Sequence, residues 1–201
     1  MRPAELFYQI VDKAVAKAFD PKEFPCKKGC YWCCYLSVDC CPEEAIEVEL
    51  GIRQLGRDTR KKIYRQEKRW RQVHGDSYVD SEHLRDQIQQ AIFTQNAGAM
   101  EVLNKLWEKL LLEHLARAVE KKAPCPYLLD GNCAVYQHRP ASCRDSFPEA
   151  GKGGEDCLDP DTAISQIEFK WLVGVGRRVG VDFMSQGRLV DQVREARKSI
   201  N

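Results

Sequence analysis

The sequence predicts a mostly α-helical chain with an irregular, cysteine-rich loop region. Apolar residues recur at helical spacing over most of the length, and no segment alternates clearly as a half-buried strand would. Ten cysteines stand apart from these helical stripes, in two groups set among Gly, Pro and Asp. The 201 residues suit a single domain, and 43% apolar with 30% charged residues is the balance of an ordinary folded chain.

The elements follow in order. Residues 3–19 place Leu6, Phe7, Ile10, Val11, Ala14, Val15, Ala18 and Phe19 on one helical face, and Asp20-Pro21 closes that helix. The first cysteine group occupies 26–41. Pro42-Glu43-Glu44 has the proline and acids of a helix start, so a helix carrying Ala45, Ile46, Val48 and Leu50 is expected to about Gly56. Arg57 to Arg71 is mostly basic. It reads as a solvated helix in preference to an anion-binding face, because the rest of the chain cancels its charge.

Residues 81–121 read as helical with an interruption near Asn96-Ala97-Gly98. Met100, Leu103, Trp107, Leu110, Leu111, His114 and Leu115 form a stripe expected to face the core. His114 on that stripe reads first as a core histidine and second as a metal ligand. The helical insert thus spans 42–122. The second cysteine group fills 125–157, and two closing helices are expected at 161–173 and 182–197.

Thirty-one basic against thirty acidic side chains leave a net charge of +1. That argues against nucleic acid or an anionic membrane as the main partner, since both attract a basic excess. No apolar run reaches the roughly 18 residues of a membrane span, and the N-terminus lacks the continuous apolar stretch of a signal peptide. The expectation is a cytoplasmic protein. There, clustered cysteines bind metal or do redox chemistry more often than they form disulfides.

Cys26, Cys30, Cys33 and Cys34 lie at offsets 0, 4, 7 and 8. On a helix these four fall within about a 100° arc, although Gly29 makes a turn or knuckle equally suitable. Either way four soft donors converge, as thiolate-bound zinc or an iron–sulfur cluster requires. Neighbouring Cys33 and Cys34 do not easily share one tetrahedral ion, but they suit two irons of a cluster, two zinc ions, or one metal beside one buried thiol. Cys40-Cys41 is open between ligation and packing, and Asp39, Glu43 and Glu44 offer oxygen donors.

In the second group, Asp130-Gly131-Asn132 is a turn signal that would fold Cys133 back towards Cys125. Cys143 and Cys157 follow at wider spacing. Arg139 and Arg144 flank Cys143, and their guanidinium groups suit the neutralisation of metal-bound thiolates or a cluster. His138 is a weaker nitrogen donor. No Gly-rich nucleotide-binding fingerprint is present, which argues against a Rossmann-type methyltransferase.

The combination Cys26-x3-Cys30-x2-Cys33-Cys34, then Cys125-Pro-Tyr-Leu, Gly131-x-Cys133-Ala-Val-Tyr136 and Arg139-Pro140-x2-Cys143-Arg144, resembles the YkgJ-type cysteine-cluster family. The resemblance covers about residues 26–157 but does not include Cys40-Cys41. Members of that family are described as zinc- or iron-chelating domains, so it implies a metal or iron–sulfur site built from both groups. A related domain occurs in flagellin lysine N-methylases, which keeps a methyl-transfer role open.

The leading expectation is a metal-binding protein whose ligands are Cys26, Cys30, Cys33, Cys34, Cys125, Cys133, Cys143 and Cys157. The adjacent pair and the flanking arginines favour an iron–sulfur cluster over zinc. Such a centre would also suit an iron–sulfur oxidoreductase or a cluster-dependent modifier of protein side chains, with a protein as partner or substrate. The alternatives are a metal storage or delivery protein, and a structural zinc module supporting a helical interaction surface.

Overall fold

The computed structural model describes residues 1–18, 31–35, 38–75, 84, 87–88, 90–91, 94–148, 163–165, 169–182 and 187–200. Among these, helices dominate: α1 (Pro3–Ala18), α2 (Pro42–Gln54), α3 (Arg57–His74), α4 (Ala97–Glu120), the single turn α5 (Ser142–Asp145), α6 (Phe169–Val179) and α7 (Leu189–Ile200). No described helix is long and apolar enough to cross a membrane.

The helix ends follow local chemistry. At the start of α2, Pro42 takes the first helical position, and the Glu44 carboxylate reaches back to accept the Cys41 N–H at 3.1 Å. The interruption expected before α4 is present: Gln95 adopts a left-handed φ of 54°, and Asn96 caps the new helix by accepting from the Ala99 N–H at 3.0 Å.

Short strands join distant parts of the chain. β1 (Asp39–Cys40) pairs antiparallel with β6 (Gly187–Arg188), and β2 (Leu128–Leu129) pairs with β3 (Asn132–Cys133). β4 (Ser146–Pro148) pairs with β5 (Ala163–Ser165). At two or three residues each, these strands are too short to show the two-residue alternation by which a strand is read from sequence. They also correct the closing region. Residues 163–165 are extended where a helix over 161–173 is expected, and the last two helices begin later, at Phe169 and Leu189. Gly180, at φ 82°, follows α6 where a left-handed residue ends the helix.

Among the described residues, two apolar clusters join several of the helices. One joins Ala4, Phe7, Tyr8 and Val11 of α1 to Leu172 and Val175 of α6, with Cys41, Ala141 and Val181. The other joins Ala45, Val48 and Ile52 of α2, Ile63 of α3 and Val193 of α7, with Cys40, Tyr127 and Val135. Leu6, expected on the buried face of α1, is instead exposed, and Ala4 and Tyr8 take the core side. Phe19 lies outside the described residues.

On α4, His114 is buried as expected, and Leu103, Leu110 and Leu115 are half-buried. The side chains of Met100, Trp107 and Leu111 lie outside the description.

Candidate metal centre

The two cysteine groups meet. A short 3₁₀ turn, Trp32–Tyr35, carries Cys33 and Cys34, and the Cys125 N–H donates to the Cys34 carbonyl at 2.6 Å. That bond joins backbones more than ninety positions apart in sequence. Beyond Cys125 the chain runs into β2 and reverses at Asp130-Gly131, with φ of 50° and 76°. Positive φ at both central residues is the geometry that suits a two-residue hairpin, and Gly131 is there because it adopts it without strain. The hairpin sets Cys133 opposite Leu128, and the Ala134 N–H donates to the Tyr127 carbonyl at 2.8 Å. Cys143 follows on the α5 turn.

The thiols of these five cysteines act on one another. The adjacent Cys34 thiol lowers the pKa of Cys33, and the Arg139 guanidinium lowers it further. Cys34 is raised by the Cys33 sulfur beside it and by burial, with Cys125 and Cys143 adding to the shift. Burial pushes Cys125 up to about 12, and the neighbouring Cys133 and Cys33 push the same way. Cys143 is raised by burial, then by Cys125, Cys33 and Cys133, while Arg139 opposes. Cys133 is raised by burial and lowered by Arg139. Thiols from both groups therefore share one electrostatic neighbourhood, with Arg139 as its positive charge.

The two arginines expected beside the site differ. Arg139 lies with its guanidinium 4.0 Å above the Tyr136 ring, and its buried Nε has no hydrogen-bond partner among the described residues. Arg144 is turned to other uses. Its Nη1 pairs with Asp12 of α1 at 2.7 Å, and its Nε and Nη2 donate to the carbonyls of Arg139 and Gln137 at 2.8 and 2.7 Å. The guanidinium also lies 4.2 Å above the Tyr8 ring. Arg144 ties the 137–144 loop to α1 and holds Cys143 in place through the backbone.

Glu44 anchors the same loop. Its carboxylate accepts the Ala141 N–H at 2.7 Å and the Cys41 N–H at 3.1 Å, and burial raises its pKa against those two bonds. It is a structural acid with both oxygens occupied. Cys40 and Cys41 resolve into packing: both are fully buried, one in each apolar cluster, and Cys41 also caps α2. His138 packs on α2, where a Cβ at Gly51 would come within 2.6 Å of its ring, and its Nδ1 lies 4.0 Å from Glu47. His114 stacks on His74, with ring centroids 5.8 Å apart.

Cys26, Cys30 and Cys157 lie outside the described residues. Among the described residues, no three His, Cys, Asp or Glu side chains form a group that could hold a metal ion. The donor chemistry nevertheless fits a soft metal. The side chains of this neighbourhood are thiols, and the buried Arg139 N–H, unpartnered among the described residues, is the kind of donor that hydrogen-bonds thiolate or sulfide. No protein-family model matches the chain, nor does any curated protein or solved structure.

Proposed function

We propose that this chain is a metal-binding protein whose two cysteine groups together hold an iron–sulfur cluster or zinc. The ligand set is Cys26, Cys30, Cys33, Cys34, Cys125, Cys133, Cys143 and Cys157, working in a reducing compartment such as the cytoplasm. The resemblance to the YkgJ-type family belongs to this reading and rests on the motif alone.

The observation that supports it best is the approach of Cys33 and Cys34 to Cys125, Cys133 and Cys143, anchored by the 2.6 Å backbone bond from Cys125 to Cys34. Thiols of the two groups shift one another's acidity, whereas packing alone is served as well by Ala or Val at such positions. Arg139 is the residue that would neutralise the bound thiolates. Arg144 and Glu44 would position the loop that carries Cys143. A cluster bound here would supply one-electron redox chemistry, and zinc would supply a rigid cross-link between the two groups.

The test is anaerobic purification followed by measurement of iron, zinc and acid-labile sulfide per chain, with a visible spectrum. Iron with matching sulfide identifies a cluster, and zinc without sulfide identifies the cross-link. Cys33→Ser and Cys143→Ser are each expected to lower bound metal, because each removes a donor from a different group. Unchanged stoichiometry in both variants, or a chain that binds neither metal on reconstitution, would sink the reading.

A further inference from the structure

The seam between α2, α3 and α7 opens into a cavity of about 340 Å³ lined by Glu49, Arg53, Arg60, Tyr64 and Arg197. Its size lies at the lower end of small-molecule sites. Glu49 is fully occupied: Arg53 Nε donates to one oxygen at 3.1 Å and Arg197 Nε to the other at 2.9 Å. Arg197 also pairs with both oxygens of Glu67, each at 2.9 Å. Arg60 differs from these two. Its Nη1 donates to the Arg53 carbonyl at 2.9 Å, and among the described residues no carboxylate pairs with it.

Three guanidinium groups thus face two carboxylates, leaving one positive charge in excess on a concave wall. Arg57, Lys61 and Lys68 on the exposed side of α3 add to the positive field around it. The guanidinium fork matches two oxygens of a phosphate, an arrangement a lysine does not reproduce. Tyr64 forms the remaining wall, half-exposed, with the Arg197 guanidinium 4.1 Å from its ring centre.

We propose that this cavity binds a small phosphate-bearing anion, with Arg60 as the residue that clamps the phosphate oxygens and Tyr64 as the wall beside the rest of the ligand. The excess of guanidinium over carboxylate on the cavity wall suits one phosphate group. A nucleic acid strand is a poorer fit. The basic side chains of α3 are spread round more than half of the helix, and a polyanion needs them aligned along one track. The site shares no residue with the cysteine centre, so the two proposals stand or fall separately.

The test titrates the full-length chain with phenyl phosphate and, separately, with inorganic phosphate, by calorimetry and by NMR of the arginine Nε–H groups. Saturable one-to-one binding that shifts the Arg60 Nε–H is expected. Arg60→Gln should weaken it about tenfold or more while the melting temperature holds. Arg60→Lys, which keeps the charge but loses the planar fork, should lose a smaller part. Equal affinity for both probes means that the phosphate group alone is read, and tighter binding of phenyl phosphate brings in the Tyr64 wall; either result supports the site. Absence of saturation with both probes, or unchanged affinity in Arg60→Gln, overturns the proposal. Short single-stranded DNA that binds more tightly than either probe, with steep salt dependence, overturns it in favour of a polyanion surface.

Discussion

Polar side chains are withdrawn from water in two regions of this protein, and they are compensated in opposite ways. In the seam of α2, α3 and α7 the buried carboxylates Glu49 and Glu67 are matched by Arg197 from the other end of the chain, and Tyr127 donates to Glu67 at 3.3 Å. Both buried carboxylates there have a charged partner within the protein, while Arg60 at the edge of the seam bonds only a carbonyl among the described residues. In the cysteine region, thiols from both groups lie near one guanidinium, Arg139, whose buried Nε has no hydrogen-bond partner among the described residues. The buried acids of the first region are satisfied by the chain itself, whereas the second keeps a buried guanidinium donor open beside thiols.

The comparison is broken most severely by Arg197→Ala. Removing this guanidinium leaves Glu49 short of one partner and Glu67 without its charged one, both almost fully buried, and should cost about 3–5 kcal/mol in urea denaturation. Glu67→Gln added to that variant should recover part of the loss, because the orphaned charge is then gone. The cysteine side should respond to chelation instead. Removing a metal present at roughly a hundredfold its Kd would withdraw about 2.7 kcal/mol. Chelator should leave the melting temperature of a Cys33→Ser, Cys143→Ser double variant unchanged.

Gly51→Ala probes the joint between the two regions, where α2 meets the 136–138 turn. An added methyl would meet the His138 ring at 2.6–2.7 Å, so a loss of about 1–3 kcal/mol is expected from the denaturation midpoint. The smallest effect concerns His74, a buried imidazole kept neutral. Burial first, and then the charge of His114 and the nearby Arg188 and Arg117, lower its pKa to about 4 from 6.5. The unfolded chain therefore takes up a proton that the folded one refuses. The contribution is complete above about pH 6.5 and declines as pH falls towards 4. His74→Phe should flatten that part of the stability profile relative to the parent chain, and an unchanged slope would remove His74 from the account.

Much of this was legible in the residues. α1, α2 and the restart at Asn96 follow from apolar spacing, a proline and a capping side chain, which act within a turn or two of chain. The Asp130-Gly131 reversal is equally local, since left-handed φ at both positions favours those residue types. The buried glutamates were not legible: Glu44, Glu47 and Glu49 look like the solvated acids of a helix start. Their partners are Ala141, Arg2 and Arg197, two of them about a hundred or more positions away. The division of labour between Arg139 and Arg144 was hidden for the same reason. Both flank Cys143 in sequence, and the position of Asp12 on α1 decides which of them turns away.

The sequence alone determined that this chain is mostly helical and that its cysteines gather in two groups held by turns. Those properties depend on the period of apolar residues and on the backbone preferences of Gly, Asp, Asn and Pro, all of them short-range. The tertiary structure decided which thiols approach one another, which acids are buried, and which arginine faces the sulfurs. Each of those outcomes rests on a hydrogen bond or ion pair between residues far apart in the chain. Such contacts exist only once the helices have packed, because excluding water is what makes an unpaired charge or donor costly enough to select its partner.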